Sequence, residues 1–325
     1  MSLTSTSVLK SAVERGVHVC RICGLADSHQ TFTSREMMYG TGEEFRYFQC
    51  AGCETLQILE IPSDLGRYYP HDYYSKHWRA SHPIISAMRR IRDGYAASGK
   101  GILGRCLYTW WPTSSVVVLR SLNSLKVSSA ILDVGSGMEA AFLRQLEHLG
   151  YQNLLGIDPY LDNDVDISPA LRLRRLAIDE VDGRFDLVTM HHVFEHIPEP
   201  AEALRAIKRI LAPSGTLLIR MPTVTSYAWR YYGVNWVQLD PPRHLHLLSS
   251  KSIALLAEDA GFRIRKIVYD SDDFQFWGSE KIASGLPVLP KIPPGFATRL
   301  SYRRRAGRLN EANDGDAAAY FLTHC

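Results

Sequence analysis

Ile131-Leu132-Asp133-Val134-Gly135-Ser136-Gly137-Met138-Glu139 is the stretch whose reading decides the fold. An apolar run ends in a Gly-x-Gly turn. Without a Cβ, Gly135 and Gly137 let the backbone turn sharply and come close to a ligand. A helical pattern follows: Phe142, Leu143, Leu146 and Leu149 recur at three- and four-residue spacing, and Gly150 ends the run. A second apolar strand, 153–157, then ends in Asp158. An acidic residue about 20 positions past the glycines is placed to hydrogen-bond a ribose diol in a nucleotide-binding βαβ unit.

Outward from this unit, strand and helix signals keep alternating. Residues 185–190 read as a strand, and 200–211 as an amphipathic helix with Leu204, Ile207 and Leu211 on one face. Pro213-Ser214-Gly215 reads as a turn and 216–221 as a further strand. Ser249 or Ser250 can cap the next helix, which ends at Ala260-Gly261-Phe262, and 263–269 and 317–323 are two more strands. The order of "ILDVGSG", "GIDP", "FDLVTMHHVFEHIPEP", "LAPSGTLLIRMP" and "RHLHLLS…LLAEDAGF" resembles the class I S-adenosylmethionine-dependent methyltransferases over residues 126–325. The resemblance implies an α/β fold: a Rossmann-like, seven-stranded sheet with helices on both faces, its last strand inserted antiparallel beside its predecessor. It also implies S-adenosylmethionine as cofactor, bound by Asp133, Gly135, Ser136, Gly137, Asp158, Pro159, Ile178, Met190 and His191. Glu139 stands where that family often has a small residue, so its carboxylate is expected near the methionine end of the cofactor. The competing reading is a nicotinamide-binding Rossmann domain, but the third glycine of the dinucleotide pattern is missing.

At 325 residues the chain can bury a full α/β core and still carry a smaller module. A net charge of +3 argues against wrapping nucleic acid. No N-terminal run is apolar enough for a signal peptide or a membrane span, which points to a cytoplasmic, thiol-reducing setting. The apolar stretch around Tyr108-Thr109-Trp110-Trp111 is expected to pack on the core, with peripheral membrane contact as the alternative. Six cysteines include two Cys-x-x-Cys pairs, Cys20/Cys23 and Cys50/Cys53. In a reducing compartment these read as metal ligands, a closed four-thiolate zinc ribbon with a structural role, with 31–48 between the pairs as a hairpin or long loop. A [4Fe–4S] cluster is the alternative occupant. The resulting layout is a zinc-ribbon module over 1–62, a helical connector or cap over 63–125 and the methyltransferase-like domain over 126–325. The resemblance implies that the Pro-, Gly- and Arg-rich stretch 271–316 is an insertion over the rim of the site, and a basic stretch, Arg89-Arg90-Ile91-Arg92, lies in the connector.

His192, Glu195 and His196 match the H-x-x-E-H peptidase pattern, but they follow a strand end rather than standing on one helix face. The resemblance gives Glu195 and His196 a structural role in the turn. The segment 222–248 follows a strand whose end should face the cofactor and holds Trp229, Tyr231, Trp236, Arg243, His244 and His246. Aromatic faces suit sugar rings, and an imidazole can act as general base near neutral pH. The expectation is therefore methyl transfer to a sugar-type small-molecule acceptor, a nucleotide sugar or glycan, with His244 the first choice of base and His192 and His246 the others. The alternatives are an RNA methyltransferase that grips nucleic acid with its ribbon, and a non-catalytic binding protein of the same fold.

Overall fold

The computed structural model describes residues 14–69, 82–111, 113, 115–122 and 125–325. The lead-in before residue 14, and Pro70, Tyr73 and Tyr74 of the connector, lie outside the described residues. Two sheets organise the rest. The N-terminal sheet is an antiparallel meander of β1 (Glu14–Val19), β2 (Ala26–Arg35), β3 (Glu44–Gln49) and β4 (Leu56–Ile58). The stretch between the cysteine pairs is thus mostly the β2–β3 hairpin. The connector holds α1 (Pro83–Ser98) and α2 (Ile102–Trp110).

The second sheet begins with β5 (Ala130–Val134), which leads through the glycine turn into α3 (Ala141–His148). β6 (Asn153–Ile157), β7 (Val165–Asp166), β8 (Leu171–Arg174) and β9 (Phe185–His191) follow. Then come α4 (Pro200–Ile210), β10 (Leu211–Pro222) and α5 (Tyr227–Tyr232). β11 (His246–Leu247), α6 (Ser250–Asp259) and β12 (Phe262–Tyr269) continue the chain, and α7 (Phe274–Ala283), α8 (Phe296–Glu311) and β13 (Ala317–His324) complete it. The strand order is β12-β13-β10-β9-β5-β6-β8-β7. β5, β6, β8, β9 and β10 are parallel, and β13 runs antiparallel between β10 and β12. The sequence predicts seven strands. The eighth is the short β7, which folds back through Ser168 to pair Val165 with Leu173 at the sheet edge.

The central strands are apolar throughout because both of their faces are covered. One face packs Leu132, Val134, Val188 and Met190 under α4 and α6. The other packs Ile131, Leu187 and Leu218 under Phe142, Leu143 and Leu146 of α3 and under Ala96, Val118 and Leu119 of the connector. The connector therefore covers a sheet face. Pro213-Ser214-Gly215 is not a free turn: it is a register irregularity within β10, which already pairs Leu211 with Phe185. The insertion is chiefly α7 and α8.

β11 belongs to the N-terminal sheet, pairing His246 with Gln57 and Leu247 with Leu56. Around that seam Tyr47, Leu56 and Ile58 share one apolar cluster with Trp229, Trp236, Leu245 and Phe276. Tyr47 Oη donates to the His244 carbonyl at 2.9 Å, and Ser249 Oγ donates to the Cys53 carbonyl at 2.7 Å. Ribbon and core are sewn together by backbone pairing and a common interior.

Candidate active site

β5 and β6 lie side by side, Asp133 opposite Gly156, so the glycine turn and Asp158 emerge at the same sheet edge. Gly135 and Gly137 have φ of 70° and 58°, values that an L side chain strains to adopt. A Cβ on Gly135 would also lie 2.5 Å from Val193, so the histidine turn rests directly on the glycine turn. The Gly135 and Ser136 amides both donate to the Ile157 carbonyl. The Gly137 amide donates to Asp158 Oδ2 at 3.1 Å and the Tyr160 amide to Oδ1 at 2.9 Å. Burial raises the Asp158 carboxyl against those two hydrogen bonds. Asp133 is buried and accepts from Thr189 Oγ1 at 2.6 Å, and burial pushes its carboxyl up to about 7.

The other residues of the sequence-derived set divide. Pro159 is exposed beside Asp158, and Ile178 is half-buried in a short 3₁₀ turn. Met190 is fully buried in the core, on a strand paired on both sides, with Val134 and with Ile219. His191 points to the opposite face, its ring centroid 4.4 Å from that of Phe142. Burial, then the Arg220 charge, pushes its imidazole down to about 3, and both ring nitrogens lack a hydrogen-bond partner among the described residues. Glu139 is exposed, with Arg144 Nε donating to its carbonyl at 2.9 Å.

His192 follows with φ of 54°. Arg220 donates to His192 Nε2 at 2.9 Å, and Arg220 is itself held by Asp270. Because a guanidinium only donates, Nε2 is the acceptor and the ring proton sits on Nδ1, 3.4 Å from Glu195 Oε1. Glu195 is fully buried. Burial would raise its carboxyl, but the close approach of His192 and the His196 and His244 imidazoles hold it down at about 2. Neither Arg220 nor Asp270 carries a sequence signal for this role, since each becomes relevant only through cross-strand pairing.

The segment 222–248 is mainly interior. Trp236 Nε1 donates to Asp316 at 3.0 Å and Trp229 is buried beside it. Arg243 is buried between Glu36 at 2.7 Å and Asp240 at 2.5 Å. His244 Nδ1 donates to the Gln238 carbonyl at 2.6 Å, and its Nε2 is 3.9 Å from Glu195. Burial, then His196, pushes its imidazole down to about 4. His246 Nε2 donates to the Pro198 carbonyl at 3.2 Å, and burial takes it down to about 4 as well. Tyr231, 52% exposed, stacks on Tyr227 at 5.2 Å. Of the three candidate bases only His192, its side chain 35% exposed, reaches solvent.

In the N-terminal sheet, close to the seam with the core, the four thiols converge. Cys20 Sγ lies 3.6 Å from Cys53 Sγ, Cys23 Sγ lies 3.6 Å from Cys50 Sγ, and all four fall within 4.8 Å of one another. Four sulfurs around a tetrahedral zinc at about 2.3 Å are about 3.8 Å apart. Gln57 Nε2 donates to Cys20 Sγ at 3.1 Å and the Gly52 amide to Cys50 Sγ at 3.3 Å. The Cys20–Cys53 hydrogen bond lowers the Cys20 thiol and raises that of Cys53.

A family model described as "Methyltransferase domain" matches residues 115–267. The ubiquinone biosynthesis O-methyltransferase of Pseudomonas paraeruginosa is 24% identical over 191 residues, spanning 50% of this chain and 81% of that relative. The protein of the same name from Pseudomonas putida is 23% identical over the same shares. A solved SAM-dependent methyltransferase from Archaeoglobus fulgidus is 20% identical and covers 65% of this chain and 92% of its own, with a TM-score of 0.42. With the strand order and the glycine turn, the family match defines the core as a class I S-adenosylmethionine-dependent methyltransferase domain. The chain is an enzyme of that class.

Proposed function

We propose that this chain methylates a hydroxyl of a small-molecule acceptor at the sheet edge where β5, β6 and β9 end. One observation carries the reading: the Gly135–Gly137 turn and the Asp158 carboxylate meet at 3.1 Å on adjacent parallel strands. The residues fit the cofactor. Apart from its own chain neighbours nothing lies within 4 Å of where a Gly137 Cβ would stand, and His191, on β9, offers two buried, unpartnered nitrogens. S-adenosylmethionine, when bound, supplies a methyl group on a sulfonium, already a good leaving group. Asp158 would then take the ribose hydroxyls in place of its present amide donors, Gly135 and Gly137 would let the methionine end approach, and His191 would hydrogen-bond it.

What remains for the protein is to position the acceptor and remove its proton. His192 is the base we favour over the sequence's first choice, His244, whose ring is sealed in the interior. Glu195 and Arg220 fix the ring and tautomer. The acceptor hydroxyl competes with Arg220 for the Nε2 lone pair, and the imidazolium formed is stabilised by Glu195. Within the hydroxyl class a sugar is the form to test first. Exposed Tyr231 supports it, but the buried tryptophans do not. The name of the relatives, O-methyltransferases of ubiquinone biosynthesis, supports oxygen as the acceptor atom. We also propose that Cys20, Cys23, Cys50 and Cys53 hold one zinc. Four thiolates leave no open position, so its role is structural.

The test is mass spectrometry of nucleotide sugars, glycans and phenols incubated with the chain and isotope-labelled cofactor. Label on an acceptor oxygen supports the proposal. Label confined to carbon or nitrogen acceptors contradicts it.

A further inference from the structure

α1 and α2 form a hairpin with an apolar face turned to solvent. Ile84, Met88 and Ile91 recur along α1 at helical spacing, and Ile84 is 65% exposed. On α2, Ile102 is 86% and Trp110 82% exposed, with Leu103 on the same side. Single exposed apolar residues are ordinary, but a stripe on each of two adjoining helices is not. The hairpin is built rather than loose. A Cβ on Gly104 would stand 2.6 Å from Tyr95 Cβ and 2.7 Å from the Ile91 carbonyl oxygen, so the helices touch backbone to backbone. Its inner side, with Ala96 fully buried, belongs to the core cluster around α3.

Charge says what the outer side faces. Residues 82–128 hold seven Lys and Arg and one acid, Asp93. Asp93 is buried and paired with Arg92 at 2.7 Å. Arg90, Lys100 and Arg105 are exposed, so every exposed charge of the segment is positive. The whole chain carries only +3, which leaves the remainder net acidic. An apolar stripe with a tryptophan and a cationic flank is the pattern of helices that lie in the interface of an anionic bilayer.

We propose that the α1–α2 hairpin docks this enzyme on an anionic membrane surface. Ile84, Ile102 and Trp110 enter the acyl boundary, while Arg90, Lys100 and Arg105 meet the headgroups. This goes beyond the reaction proposed above and does not depend on it. The test is co-sedimentation of the full chain with phosphatidylcholine vesicles, with and without phosphatidylglycerol. The chain should pellet with the anionic vesicles, at least about 10-fold more weakly after Arg90→Glu with Arg105→Glu. Ile102→Asp with Trp110→Ser should release it while the circular dichroism spectrum is unchanged, since both side chains are exposed. A parent chain that stays in the supernatant overturns the proposal, and so does a double variant that pellets like the parent. Light scattering that shows a dimer split by Ile102→Asp with Trp110→Ser, without vesicle binding, makes the face a contact between copies and also overturns it.

Discussion

His192 carries three constraints at once: a left-handed backbone with φ of 54°, an Arg220 N–H on Nε2 and a buried carboxylate beside Nδ1. Strain of this kind persists where its surroundings over-determine it, and it gathers at functional sites. His192→Ala should lower kcat by about 10²–10⁴-fold and leave cofactor affinity unchanged, which steady-state rates beside calorimetry will show. His244→Ala should instead lower thermal stability, because it empties a buried position beside Glu195. Undiminished kcat in His192→Ala would remove it as the base. Gly135, Gly137 and Asp158 were legible because the local chain imposes their roles: a turn with positive φ, then an acid at the next strand end. The burial of His244 and the exposure of His192 were not. Which imidazole is buried depends on β11 crossing to pair with β4, a contact that joins residues almost 200 positions apart, as in the bond from Tyr47 to His244.

At the scale of elements, β11 explains why the segment 222–248 reads as a pocket and folds as a seam. Its aromatic residues are large enough to bind a sugar, and large enough to fill the gap between two sheets. Composition does not distinguish these, and Trp236 with its indole on Asp316 fills the gap. By contrast α3, α4, β6 and β9 were legible almost to the residue, since their apolar spacing answers to the sheet they pack on. β11 also brings a pH dependence. Burial holds the native His246 imidazole at about 4, against 6.5 for the ordinary side chain. Between those values the unfolded chain binds a proton that the native chain refuses. The stabilisation is therefore complete above pH 6.5 and lost as pH falls towards 4. Thermal melts across that window should show the midpoint of the parent falling further than that of His246→Gln. Parallel profiles would mean that the native imidazole titrates normally.

At the scale of the molecule, the cysteine module and the core share one interior, through the cluster that holds Tyr47, Leu56, Trp229 and Leu247. Metal bound by the folded state alone stabilises whatever unfolds with its site. Chelation, or Cys20→Ser, should accordingly release one zinc and lower the midpoint of a single transition of the whole chain. A separate early transition with the remainder unmoved would show the module to be independent. No helix among the described residues is long and apolar enough to cross a membrane. The central claim is that the 133–137 turn and Asp158 form the cofactor site, and isothermal titration calorimetry with S-adenosylmethionine tests it most directly. The parent should bind, and Asp158→Ala, losing charge-assisted hydrogen bonds worth about 1.5–3 kcal/mol each, should bind at least about 10-fold more weakly while still unfolding in a cooperative transition. Equal affinity in the two chains would contradict the account.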